Sequence, residues 1–408
     1  MDNCFLPADI LLPKTQDMQR WSVIACDQFT SDLDYWRAVR SFVADAFSTL
    51  HMIVPEAELE SATEAAYIRC GEYMKESLAN GSFTAYPNAF VYVERTLLNG
   101  DIRTGIVGKI DLTAYEYDPK KSAPICATEQ TVLERIPPRM AVREKACIEY
   151  PHVIMLCNDF ECQLIESVTA IKDTLPKLYD FMLMQDGGHI AGWLVAGKDA
   201  EFFMQKLQKY IHTQNTTYAG QEHALFAVGD GNHSLVTAKC CYEKALEEGK
   251  IEADAPARYA LVELENIHSP AQAFEPIHRV ITEVDTDKLL KDLESICIAN
   301  GCAVDWIVGK QKGQLRLNVP KGQLAVTVLQ EFLDKWLAEN PGKIDYIHDE
   351  DSLEKLAQAD NSVGLLLPAI DKRGLFEYCS SGRVFPRKTF SMGHGREKRY
   401  YLEGRIIK

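Results

Sequence analysis

Residues 224–249, ALFAVGDGNHSLVTAKCCYEKALEEG, constrain the fold more than any other stretch of the chain. The run from Ala224 to Val228 is apolar and short enough for a buried strand. Gly229, Asp230, Gly231, Asn232 and His233 follow, small and turn-forming residues that let a backbone bend sharply and approach a ligand closely. From Ser234 the spacing is helical: Leu235, Ala238, Cys241, Tyr242 and Leu246 can share one face, and Gly249 can stop the helix. Strand, glycine-rich turn and helix in direct succession predict an α/β architecture built around this turn.

The turn has chemical content. The first backbone N–H groups of a helix, together with the positive end of its dipole, favour an anion such as phosphate. Asn232 and Ser234 can cap the helix or donate to a ligand, and Asp230 and His233 are titratable groups beside it. The same residues also describe a structural turn in which Asp230 or Asn232 serves only as the cap.

A chain of 408 residues has room for two or three domains and a sizeable core. With 44 Lys and Arg against 59 Asp and Glu, its net charge of −15 argues against broad binding to nucleic acid or anionic membranes. Any anion site must therefore be local. The 12 cysteines are scattered, without the CxxC pairs of a structural zinc site. No leader-like N-terminus or membrane-length apolar run stands out, so the expected setting is the cytoplasm, with reduced thiols. Oligomeric state is not legible.

Taken in order, the strand-like WSVIAC ends just before Asp27, which is either a helix-entry residue or a carboxylate at a strand's C-terminal end. Thr30 or Ser31 can cap a helix carrying Leu33, Trp36, Val39, Phe42 and Val43. A helical stretch spans residues 56–80, and residues 88–118 read as two strands joined at Asn99-Gly100-Asp101. Pro137 and Pro138 can start a helix that places Arg139 and Arg143 on one face, with Arg135 just upstream. Guanidinium groups suit phosphate or carboxylate, although Glu129, Glu134 and Glu144 can neutralise these three in a surface network. PHVIMLCND reads as a buried strand, with a helix expected around Val168 to Met184 and another over AEFFMQKLQKYIHTQ. His233, His268 and His278 can meet at a metal or act in proton transfer, but their spacing is not that of a ligand set. The tail carries Arg383, Arg387, Lys388, Arg396, Lys398 and Arg399 among glycines, either as an anion-binding loop or as a solvated basic segment.

These segments together resemble the prokaryotic family catalogued as domain of unknown function 1015, over nearly the whole chain. ACDQFTS is similar to the family's N-terminal Tyr-Asp-Val-Ile-Ser region, and TEQT at 128–131 to its His-Glu-Arg-Thr. VGDGNHSLVTA is similar to its Ala-Asp-Gly-His-His-Arg-Tyr motif, PIHRVI to its Pro-Thr-His-Arg segment and VFPRKTF to its Pro-x-Lys-Ser-Thr element. Thr128, Asn232 and Ser234 replace a family His, His and Arg. The Asp-Gly-x-His turn also resembles the nucleotide-handling turn of ParB/sulfiredoxin-like proteins, a group that includes free-serine kinases.

The resemblance implies a mixed α/β fold, a ParB/sulfiredoxin-like sheet with flanking helices in residues 1–250, and a second α+β lobe in 251–408 whose tail, 382–399, returns toward the site. It implies an enzyme that binds a nucleotide or small phosphorylated metabolite and transfers or removes a phosphoryl group, with serine or phosphoserine as substrate and Mg2+ with ATP or ADP as cofactor. Gly231, Asn232 and Ser234 would hold phosphate, with Arg135, Arg139 and Lys388 stabilising charge. Asp230, His233 and Glu129 would serve in catalysis. A non-catalytic anion-binding regulator and a metal-dependent hydrolase are the alternatives.

Overall fold

The computed structural model describes the chain apart from Ser31, Glu60, Val132, Pro151 and Arg387 and the side chain of Leu133. The alternation in NAFVYVERT and IRTGIVGKID, broken by Asn99-Gly100, folds Phe83–Thr96 back on Ile102–Asp111 as an antiparallel hairpin. Around this hairpin grows a mixed sheet, eleven-stranded among the described residues. Its order runs Lys177–Met182, His189–Val195, Phe83–Thr96, Ile102–Asp111, Tyr259–Asn266, Ile154–Cys157, Phe226–Asp230, Ile125–Cys126 and Tyr115–Glu116, with Phe5–Leu6 and Ala8–Pro13 on the hairpin.

Both faces of the sheet are buried, and period-two alternation decides which residue goes where. Phe90 and Tyr92 join a core with Phe203 and Leu207 of the helix Lys198–Thr217 and Leu235 and Ala238 of the helix Asn232–Glu247. Val91 and Val93 point the other way, toward Trp36 and Val39 of the helix Leu33–Val43 and toward Tyr400 and Leu402. Ser31, one of the two expected caps of that helix, lies outside the described residues. Asp32 takes the role, its Oδ1 accepting from the Tyr35 N–H at 3.0 Å.

Residues 395–408 are stitched into this second face. Tyr400–Tyr401 pair with Val23–Ile24, the Trp21 indole donates to the Leu402 carbonyl at 3.0 Å, and the Leu11 N–H donates to Gly404 at 2.8 Å. Side chains between them form a buried charge network. Arg399 bridges Glu263 and Glu403, Tyr179 donates to Glu403, and Arg103 Nε stands 3.1 Å from Glu265. Burial pushes the Glu265 carboxyl up to about 8 against the pull of Arg103, with Glu263 adding to the rise.

Two compact units emerge: residues 1–272, 375–383 and 395–408 in one, and 273–374 and 384–394 in the other. The first runs past the expected boundary at residue 250 because Tyr259–Asn266 is an inner strand of its sheet, between Ile102–Asp111 and Ile154–Cys157. The second is α+β, a five-stranded sheet with the helices Thr286–Leu293 and Ala325–Glu339 over an apolar core. The helix expected around 168–184 is instead a short helix, Ile165–Thr169, followed by the strand Lys177–Met182. Pro176 cannot continue a helix, and pairing with His189–Val195 outweighs the local propensity. Among the described residues no helix is long and apolar enough to cross a membrane.

Candidate active site

Asp230 ends the inner strand Phe226–Asp230, and Gly231 there turns the chain at φ +84° into the helix Asn232–Glu247. A side chain at 231 would be strained by that φ and would bring its Cβ to 3.0 Å from Val153 Cα. Gly231 is the N-cap residue and has no side chain, so the helix starts without a side-chain cap. Its first N–H groups point out of the turn.

Asp230 is bound on both oxygens: Oδ1 accepts from the Gly231 N–H at 2.8 Å, and Oδ2 pairs with Lys398 Nζ at 3.1 Å. Asn232 is buried and spends its amide on Thr128, Oδ1 accepting from the Thr128 N–H and Nδ2 donating to its hydroxyl, each at 3.4 Å. Thr128 Oγ1 in turn donates to the Val228 carbonyl at 2.6 Å. Asn232 therefore locks the turn rather than offering a donor to a ligand.

Ile154–Cys157 runs antiparallel to Phe226–Asp230, with Ile154 opposite Asp230, so the residues just ahead of Ile154 arrive at the same end as the turn. This places His152 Nε2 3.2 Å from Ser234 Oγ and 3.5 Å from Asp27 Oδ1. Its Nδ1 lies 3.0 Å from the Tyr401 hydroxyl, which also accepts from the Cys26 N–H at 3.0 Å. Burial disfavours charge on both Asp27 and His152, yet the two outweigh it for each other. The His152 charge and hydrogen bond hold the Asp27 carboxyl well below the usual range, and Asp27, with help from Asp230 and Glu56, raises His152.

Beside this set lies a cavity of about 170 Å³, walled by His152, Ser234, Cys26 and Tyr401 at one side and otherwise mainly by apolar side chains. Arg139 and Glu56 line it as an ion pair.

The expected site residues separate into groups. Asp230, Gly231, Asn232 and Ser234 share the turn, and Arg139 and Ser234 share the cavity wall. His233 is half-buried in the first helical turn, its carbonyl accepting from Thr237 Oγ1, and Glu129 follows Thr128 directly. Arg135 is exposed and meets Arg139 only through its backbone carbonyl. Lys388 sits exposed in the second unit, and Arg387 lies outside the described residues. Of the histidines considered for a metal, His268 bonds Asn158 at 2.7 Å and His278, in the second unit, accepts from the Leu367 N–H. Among the described residues no three His, Cys, Asp or Glu side chains gather as a metal-binding set.

His152 and Tyr401 escaped sequence reasoning, and Lys398 was one tail cation among six. The only trace of His152 is its position at the head of a buried-strand candidate, because nothing local reveals that this strand runs antiparallel to the turn strand.

Solved structures resemble the chain distantly. One described as free serine kinase in complex with AMP shares 11% identity at a TM-score of 0.38, over 72% of this chain and 90% of that one. A conserved hypothetical protein from Pyrococcus furiosus shares 11% at 0.34, with the same coverage. SbnI with a C-terminal truncation, from Staphylococcus aureus, shares 9% at 0.37, over 70% and 82%. No curated protein matches. At such distances a functional reading has to come from this chain's own side chains. The profile described as "Protein of unknown function (DUF1015)" matches residues 6–375, and the chain belongs to that family.

Proposed function

We propose that the chain is a cytoplasmic phosphotransferase that binds a nucleotide phosphate at the first turn of the helix Asn232–Glu247 and transfers a phosphoryl group to or from a small metabolite. The observation that carries this reading is a convergence on one helix start: a buried lysine, Lys398, on one side, and the Asp27–His152–Ser234 set with its cavity on the other. Backbone N–H groups and Ser234 Oγ supply donors to phosphate oxygens, and Lys398 supplies the cation. It takes the place expected of Lys388. Phosphoryl transfer asks little covalent chemistry of a protein and depends on positioning and electrostatics, which this arrangement provides.

Asp27 is the proton acceptor for an incoming hydroxyl. It stays ionised because His152 faces it, and His152 is itself oriented by Tyr401. The likeness of the Asp230–Ser234 turn to that of ParB/sulfiredoxin-like proteins supports the phosphate assignment. Mg2+ bound with a nucleotide would need only one or two protein carboxylates, and Asp230 would offer it Oδ2 once Lys398 turned from that oxygen to the phosphate. When bound, the ion neutralises phosphate charge.

A thermal-shift series with ATP, ADP, pyrophosphate, serine and phosphoserine, with and without Mg2+, tests the reading. A ligand at 100 times its dissociation constant should stabilise the fold by about 2.7 kcal/mol. The shift should shrink in Lys398→Gln and Ser234→Ala. If no phosphorylated ligand moves the melting temperature of the parent, the reading is wrong.

A further inference from the structure

We infer that the acceptor is an alcohol with an apolar body, about the size of one aromatic ring or a branched aliphatic chain, and without an ammonium group. This rests on the phosphoryl-transfer reading above and names its substrate class. The cavity beside His152 and Ser234 holds about 170 Å³, and Met52, Ile53, Leu59, Met74, Leu235 and Leu261 contribute to its wall. An apolar chamber of this order suits a benzene-sized group.

The charged residues of the wall sharpen the class. Glu56 is held by Arg139, and Glu149 by both Arg143 and Arg405. Asp27, next to the cavity, is held by His152. Among the described residues each of these three carboxylates already faces a cation, so a zwitterion such as serine would bury its positive charge without a free counter-ion. A neutral alcohol meets no such penalty. With its body among the methionines and leucines, its hydroxyl reaches the polar end, where Ser234 and His152 stand 3.2 Å apart. In the forward step the alcohol oxygen bonds to the γ-phosphorus of a nucleoside triphosphate and the bridging P–O bond breaks. The diphosphate leaves with that electron pair, and the hydroxyl proton passes to Asp27.

The test measures ATP binding by calorimetry and acceptor-dependent ADP release with Mg2+, using 3-methylbutan-1-ol, benzyl alcohol and serine as acceptors. The expected result is ADP release at least ten-fold above the acceptor-free rate with an alcohol but not with serine, and a phosphate ester visible by 31P NMR. Ala238→Leu, which fills the cavity, should cut that rate ten-fold or more while ATP affinity stays unchanged. Ala260→Val is the milder filling if the first variant does not fold. ATP binding with serine as the better acceptor, or with no acceptor active, overturns the apolar class and leaves nucleotide binding standing. Absence of ATP binding overturns the phosphoryl-transfer reading itself, and the acceptor assignment with it.

Discussion

Lys398 Nζ stands 3.1 Å from Asp230 Oδ2, and the lysine is only 7% exposed. Asp230 offsets the cost of keeping this cation from water, and the pair's place next to a helix start lets a phosphate share the lysine. Lys398→Gln should weaken ATP binding at least ten-fold, read by calorimetry. It should cost about 1–3 kcal/mol in urea unfolding, since Asp230 loses its partner. Unchanged affinity would remove Lys398 from the phosphate site. Asp230→Asn should abolish turnover with the fold intact, and full activity in that variant would end its assigned role.

Asp27 and His152 stabilise each other within a definable pH window. Asp27 is depressed below its ordinary 3.8, so its contribution is present above that value and fades as pH falls through the folded-state pKa. His152 is raised above 6.5, so its contribution is complete below 6.5 and fades as pH rises through the folded value. Both are in force between about pH 4 and 6.5. Asp27→Asn should therefore cost about 3–5 kcal/mol at pH 6 and clearly less at pH 9. Unfolding curves at the two pH values would expose a flat response, which contradicts the pairing.

Gly231→Ala imposes a Cβ at φ +84° and against Val153. A loss of about 1–3 kcal/mol is expected from the backbone alone. A matched Gly249→Ala, where φ is +65° but a Cβ meets nothing within 4 Å, should lose less. Equal losses would mean that close approach to Val153 is unimportant.

Glu265 is fully buried, with its carboxyl raised to about 8 from the ordinary 4.5. The folded chain keeps a proton that the unfolded chain releases, so the parent loses stability as pH rises from about 4.5 to 8. Glu265→Gln removes that dependence and should gain on the parent steadily between pH 5 and pH 8. A constant difference across the range would show that Glu265 is ionised in the folded state.

Much of the fold could be read locally. The strand–turn–helix at 224–249, the hairpin at Asn99-Gly100 and the helix opened by Pro137 and Pro138 all depend on short-range stereochemistry, and they occur where expected. Lys177–Met182 did not, because its state depends on a partner strand. The site divides in the same way. Asp230, Gly231 and Ser234 are neighbours in sequence and were found together. His152, Tyr401 and Lys398 reach the turn only through strand order and through the return of residues 395–408, which no local pattern encodes.

That return sets a schedule for the chain's birth. Lys398 and Tyr401 complete the site, and Arg399, Glu403 and Arg405 close the charge network on strands made far earlier. Residues 395–408 follow all of those strands in synthesis, so until they emerge Glu263, Glu149 and the carboxylate of Asp230 wait without these cations. The nascent chain therefore lacks the turn's lysine and the closing arginines until these residues emerge, however much of its sheet has already formed.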